Sequence, residues 1–176
     1  NAAPFRRADA RSAHRRRAGV RSHPPPPARS QFTDCRVPPR SQHDAVNVSG
    51  RPTRTIWPSA DGRAVEIIDQ TQLPHRYAVA RLDTVADAAH AIRTMQVRGA
   101  PLIGATAAWG LWLALRVDPS DPALDRAHAE LLATRPTAVN LRWALDRVRA
   151  AVGPLRPDAR AAAARETATL VCEEDV

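Results

Sequence analysis

Pro101-Leu102-Ile103-Gly104-Ala105-Thr106-Ala107-Ala108-Trp109-Gly110-Leu111-Trp112-Leu113-Ala114-Leu115 is a run of helical length with no charged residue and no polar face. A helix that is apolar all round has to be covered on every side, so the run predicts the central helix of a helical domain. Pro101 suits the first turn, where a missing N–H costs nothing. Gly104 and Gly110 each lower helix propensity by about 1 kcal/mol relative to alanine, which predicts close packing against neighbouring elements. The longest apolar stretch, Ala105 to Leu115, is well short of the roughly 20 residues that span a bilayer.

Working outward, the flanking patterns supply what covers that helix. Upstream, Thr84 is a good N-cap with Asp87 three residues on, and Val85, Ala88, Ala89, Ile92 and Met95 recur on one face, predicting a helix over about 84–96. Before it, Thr55-Ile56-Trp57 and Ala64-Val65-Glu66-Ile67-Ile68-Asp69 flank the turn signal Ala60-Asp61-Gly62-Arg63, which reads as a β-hairpin. Downstream, Asp118-Pro119-Ser120-Asp121-Pro122 is a loop, and Asp121 is expected to cap a third helix through Leu132. A fourth is expected to begin at Thr134-Arg135-Pro136-Thr137, to carry Val139, Trp143 and Val148 with Leu141 and Leu145 beside them, and to end at Gly153-Pro154. Asp158 then caps a last helix reaching at least Val171. The fold class is α+β, mainly α: a short N-terminal hairpin followed by a packed set of about five helices.

Charge separates this region from what precedes it. The formal charge of +8 comes from 26 basic residues, all arginine, against 18 acids. Residues 1–52 hold 11 of those arginines and 3 acids, leaving 15 of each in residues 53–176. The excess charge therefore belongs to the leader, and the domain has no basic footprint for nucleic acid or membrane. The leader also holds eight of the 16 prolines, and its apolar residues follow no period, so it is expected to be disordered. A nucleic-acid-binding tail and an organellar transit peptide are the functional readings. Upstream sequence with no native role is the preferred one, since arginine without lysine and abundant proline are what GC-rich coding sequence produces. A first residue other than methionine, and an end inside a helical pattern, read as a fragment.

Cys35 and Cys172 stand far apart, and neither a CxxC motif nor a His/Cys cluster is present, so no disulfide framework or zinc site is indicated and a reducing compartment fits. His75, His90 and His128 are scattered singly. Asp69 at a strand end could act as a general base, but a turn-forming aspartate is the commoner case. Cys172 reads as a small core residue, and the tryptophans at 57, 109, 112 and 143 as packing residues. No GxSxG, Walker or GxGxxG motif supports hydrolase, NTPase or dinucleotide chemistry.

What remains is a repeated local design: arginine, then zero to two small or turn residues, then proline opening a helix. It occurs at Arg98-Gly99-Ala100-Pro101 and at Arg135-Pro136-Thr137. A helix start presents unpaired amides and the positive end of the dipole, and a guanidinium beside it adds a bidentate fork for phosphate or carboxylate. Gly99 lets backbone approach an oxygen closely. Either motif alone is ordinary helix punctuation, whereas two in one small domain point to an anion site.

The blocks Thr55-Ile56-Trp57, Ile68-Asp69-Gln70-Thr71-Gln72-Leu73-Pro74, Ala91-Ile92-Arg93-Thr94-Met95-Gln96-Val97-Arg98-Gly99-Ala100-Pro101-Leu102-Ile103-Gly104 and Thr134-Arg135-Pro136-Thr137-Ala138-Val139-Asn140-Leu141, in this order and spacing, closely resemble the N-terminal part of the S-methyl-5-thioribose-1-phosphate isomerases. That group shares a wider family with the regulatory alpha, beta and delta subunits of translation initiation factor 2B. The resemblance covers about residues 54–176. It implies an aldose–ketose isomerase converting 5-methylthioribose 1-phosphate to 5-methylthioribulose 1-phosphate in methionine salvage, cytoplasmic, homodimeric as the full-length protein, and using no metal or nucleotide cofactor. It also implies substrate contacts at Arg98, Gly99, Ala100 and Arg135. The family's catalytic cysteine and aspartate lie in a Rossmann-like C-terminal domain beyond Val176; Cys172 lacks the pattern around that cysteine. The expectation is a part of a substrate site without turnover. A regulatory protein resembling initiation factor 2B, or an isomerase acting on ribose 1,5-bisphosphate, is the alternative.

Overall fold

The central run forms helix α2, Ala100–Val117, in a computed structural model that describes residues 46–48 and 51–175. Around it, in chain order, are strands β1 (Val46–Val48), β2 (Arg51–Thr53), β3 (Ile56–Pro58), β4 (Val65–Ile68) and β5 (Val79–Leu82). Helices α1 (Val85–Arg93), α3 (Asp121–Leu132), α4 (Val139–Val152) and α5 (Pro157–Asp175) complete the order. Thirteen of the α2 residues are buried, and the helix packs against α1, α3, α4, α5 and strand β3. By length and composition alone α2 could cross a membrane, with a mean hydropathy of 1.3, but 72% of it is buried among the other elements, as in a core helix.

Both glycines lie where they were expected to matter. A Cβ on Gly104 would stand 3.0 Å from the Asn140 backbone oxygen, and one on Gly110 would stand 3.0 Å from a Leu131 methyl and 3.1 Å from the Ala88 Cβ. The core continues through Ile92, Leu131, Leu141, Leu145, Val148 and Val171. Trp109 and Trp112 meet edge-to-face with centroids 5.2 Å apart. The Trp109 indole N–H donates to the Cys172 sulfur at 3.1 Å, joining α2 to α5. Burial pushes the Cys172 thiol up, against the smaller opposing effect of that hydrogen bond, so Cys172 is the small core residue its spacing suggests.

The expected hairpin is β3–β4, paired antiparallel with Trp57 opposite Glu66. The Trp57 Nε1–H donates to the Glu66 carboxylate across the pair at 2.7 Å. A third strand, β5, extends it on the far side of β4 in the order β3-β4-β5. Its pattern gives little warning, since Val79 is exposed and only Leu82 is buried. The chain divides between Pro38 and Pro39, and the first unit lies outside the described residues together with most of the leader. Of that leader, the described residues are the strands β1 and β2, which pair antiparallel with Val46 opposite Thr53; the expectation of disorder otherwise falls on residues outside the described ones.

Several helix boundaries also differ from expectation. The Thr84–Asp87 capping box is present, but α1 stops at Arg93, and Met95 adopts a φ of 62° beyond it. Met95 is consequently exposed instead of lying on the buried face. Ser120, not Asp121, caps α3, its hydroxyl accepting from the Ala123 amide. Helix α4 starts at Val139 because Arg135 to Ala138 close a turn of their own, with the Ala138 amide donating to the Arg135 carbonyl at 3.0 Å. That start turns Val139 and Trp143 outward and buries Leu141, Ala144, Leu145, Val148 and Val152. Trp143 carries the Arg147 guanidinium over its ring at 5.2 Å.

Candidate functional site

The chain reaches the start of α2 through a tight loop. After Met95, Val97 is fully buried and fixes the loop to the core. Arg98 is exposed, and Gly99 occupies the N-cap with φ 86° and ψ 138°, a region that side chains rarely adopt. A Cβ at Gly99 would meet nothing within 4 Å. The requirement for glycine here is thus conformational, and its backbone faces open space. Ala100 opens the helix, Pro101 follows in the first turn, and no side chain caps the end. The first amides of α2 have no partner within the helix, as at any helix start.

Arg135 is half-buried in the turn between α3 and α4. It precedes Val139 by a full turn of chain, so it flanks the start of α4 without standing directly on it. The expectation of two identical arginine–proline helix starts is corrected to one helix start and one turn. The two nevertheless belong to adjoining helix ends. Gly104, about 6 Å along the axis from Ala100 at 1.5 Å per residue, packs on Asn140, the second residue of α4, and on Ala144 one turn later. The N-terminal turns of α2 and α4 therefore lie side by side, with both positive dipole ends in one region.

The loop before α2 is held by the end of β4. Asp69 is buried, and its carboxylate accepts from the Thr71 amide at 3.0 Å, the Thr71 hydroxyl at 2.6 Å and the Gln72 amide group at 2.9 Å. Gln96 Nε2 reaches the same carboxylate at 3.5 Å. Burial pushes the acid up, but the bonds from Thr71, Gln72 and Gln96 together outweigh it and hold the carboxyl below its ordinary value. With every near neighbour a donor, Asp69 is held as an anion in a turn, the commoner case for an aspartate at a strand end. Next to it, Gln70 donates its amide to the Gln96 carbonyl and accepts the Arg98 amide on its side-chain oxygen, each at 2.9 Å. The residue reading by type and motif missed Gln70 and Gln96; the only available signal was the block Asp69-Gln70-Thr71.

Other candidates fall away from this region. His75 and His90 are exposed, while His128 is buried with Nε2 3.1 Å from Asp146 Oδ1, joining α3 to α4. Among the described residues no three His, Cys, Asp or Glu side chains gather to hold a metal ion. A groove of about 600 Å³ runs between α2 and α5 past Trp112, Arg116 and Arg165, and neither Arg98 nor Arg135 lines it. A shallow helix terminus is the geometry in which backbone amides receive an anion, and an enclosing cavity is not needed for that.

No protein-family model matches the chain. It is 57% identical over 131 residues to an uncharacterized protein of Rhodospirillum rubrum, covering 74% of this chain and 71% of that one. It is also 57% identical over 131 residues to the methylthioribose-1-phosphate isomerase of Rhodospirillum rubrum and 58% identical over 131 residues to that of Methylobacterium nodulans. The chain spans 34% and 36% of those two isomerases. Among solved structures, the 5-methylthioribose 1-phosphate isomerase from Pyrococcus horikoshii and the delta subunit of translation initiation factor eIF-2B from A. fulgidus each superpose with a TM-score of 0.63 at 35% identity. These two cover 69% of this chain, which spans 36% of the first and 37% of the second. A match over 74% of a chain of 176 residues includes residues 98–101 wherever it begins. On this similarity the chain belongs to the methylthioribose-1-phosphate isomerase family.

Proposed function

We propose that this chain is the sugar-phosphate-binding front part of a methylthioribose-1-phosphate isomerase, a cytoplasmic aldose–ketose isomerase of methionine salvage. The identity of 57–58% to isomerases of that name carries the reading. In it, the Arg98 and Arg135 side chains neutralise the phosphate of 5-methylthioribose 1-phosphate, while the amides of Gly99 and Ala100 hold its oxygens at the positive end of α2. Gly99 contributes open backbone, and Pro101 contributes a first turn that needs no donor. Their work is orientation and charge neutralisation, which lower the barrier without any proton passing through them.

The chain as it stands binds substrate and does not turn it over, because the groups that move the proton between the two sugar carbons belong to the remaining part of the family's length. The whole enzyme forms a homodimer and needs no metal or nucleotide. Replacing the matching segment of the Rhodospirillum rubrum isomerase with residues 54–176 tests the reading. The graft should interconvert 5-methylthioribose 1-phosphate and 5-methylthioribulose 1-phosphate, and Arg98→Ala or Arg135→Ala in it should lower kcat/KM by 100-fold or more. A folded graft with no isomerisation, or with kcat/KM unchanged by both substitutions, would sink it.

The likeness to the eIF-2B delta subunit favours a second reading, a non-catalytic regulatory module on the same helical frame. The 35% identity of that likeness, against 57% to the Rhodospirillum rubrum isomerase, ranks it second. Isomerisation by the graft decides between them.

A further inference from the structure

We propose that Gln70 is a positioning residue for the phosphate site, setting the loop from which Arg98 and Gly99 approach the substrate. The inference rests on the reading of the α2 start as that site. Gln70 bonds the loop on both sides of the buried Val97: its amide donates to the Gln96 carbonyl, and its side-chain oxygen accepts from the Arg98 amide, each at 2.9 Å. The second bond joins residues 28 positions apart and replaces what would otherwise be a backbone acceptor. Asp69 supports the same arrangement from one residue earlier through Gln72 and Gln96.

The consequence for binding is one of allocation. The Arg98 amide is already engaged by Gln70, so the donors left for an anion at this end are the Gly99 amide and the first-turn amides of α2, Pro101 having none. Gly99 follows immediately at φ 86°, a conformation with a cost for any side chain and no wall around it to impose it. The Gln70 oxygen holds the Val97–Arg98 peptide, one peptide before it. Without that acceptor the Arg98 amide turns to water, the Val97–Arg98 peptide is free to rotate, and the Gly99 and first-turn donors that follow it lose their common direction.

Gln70 is half-buried on the rim of the fold, so its loss should be felt at the loop before it is felt in global stability. Gln70→Ala removes the acceptor, and Gln70→Met removes it while keeping the length of the side chain. Gln70→Glu keeps an oxygen at the same reach. The 176-residue chain is titrated with 5-methylthioribose 1-phosphate and with inorganic phosphate, and exchange of the Arg98 amide is followed by NMR. Gln70→Ala and Gln70→Met should weaken 5-methylthioribose 1-phosphate binding about tenfold and speed Arg98 exchange at least tenfold, while core amides and Tm stay near those of the unaltered chain. Gln70→Glu should keep Arg98 protected. Equal binding by the unaltered chain and by both Ala and Met variants overturns the role of Gln70 and leaves the phosphate site standing. So does a loss of binding that comes only with faster exchange throughout the core. Absence of binding by the unaltered chain overturns the phosphate-site reading itself, and the role of Gln70 with it.

Discussion

The Cβ position of Gly104 lies 3.0 Å from the backbone oxygen of Asn140, so the crossing of α2 and α4 is set by the absence of a side chain at one residue. Gly104→Ala gains about 1 kcal/mol of helix propensity, against an overpacking cost of about 1–3 kcal/mol. A carbonyl oxygen within a helix cannot rotate aside, and the Ala144 Cβ stands 3.5 Å from the same Cβ position. That rigidity puts the cost at the upper end of its range, for a net loss of about 2 kcal/mol in urea unfolding. Unchanged or raised stability would mean that α4 shifts freely on α2.

At Gly99 the outcome has a different cause. An alanine there finds open space but must hold φ near 86°, which costs about 1–3 kcal/mol. The loop can escape that cost by rearranging, so Gly99→Ala should lower Tm modestly and abolish binding of 5-methylthioribose 1-phosphate. Calorimetric titration beside a thermal melt separates the two effects.

Asp69 should make stability depend on acid. Its folded-state value lies below the ordinary 3.8, so the ionised carboxylate contributes stability that is fully present above about pH 4. That contribution is lost as pH falls through the lower, folded value. Asp69→Asn should cost about 1–3 kcal/mol at pH 7 through weakened hydrogen bonds, and the gap between the two proteins should narrow at pH 3. Urea titrations at both pH values read this directly; a gap that widens in acid would contradict it.

Arg160 is a buried cation used for architecture. Its guanidinium donates to the carbonyls of Leu155 and Pro119 at 3.0 Å and of Gly153 at 3.4 Å, and pairs with Asp121 at 2.7 Å. Removing it orphans several carbonyls between helices at once. Arg160→Ala should therefore destabilise the domain by about 3 kcal/mol or more. Arg160→Lys should recover only part of that, because one ammonium cannot span the same acceptors. Arg156, exposed with Asp158 at 3.4 Å, is the control, and its loss should be within about 0.5 kcal/mol.

The uneven legibility of this chain follows from where each signal is stored. Helix α2 was readable because burial on all sides leaves a continuous apolar run, and the Thr84–Asp87 box was readable because both partners are local. Strand β5 was not, since its only buried side chain is Leu82 and its pairing partner is β4, whose register no local pattern records. The start of α4 was misplaced because Pro136 suits a turn as well as a helix, and the Ala138–Arg135 bond selected the turn. Arg98 and Gly99 could be named from the residues around them. Gln70 could not, because what it does is accept one backbone amide far along the chain.

Helix α2 touches all four other helices and strand β3, which constrains how the domain can come apart. No peripheral helix can detach without uncovering apolar surface on the same central rod, so the loss of one weakens the burial that holds the others. Loss of structure should therefore be all-or-none for the helical body, with the amides in the middle of α2 exchanging only through complete unfolding. The loop at its N-terminus is tied to that unit at Val97, while Arg98 and Gly99 beyond it are exposed. In the proposed site the exposed Arg98 and Gly99 would meet an anion while the core stays closed, so recognition and folding would draw on separate parts of one helix.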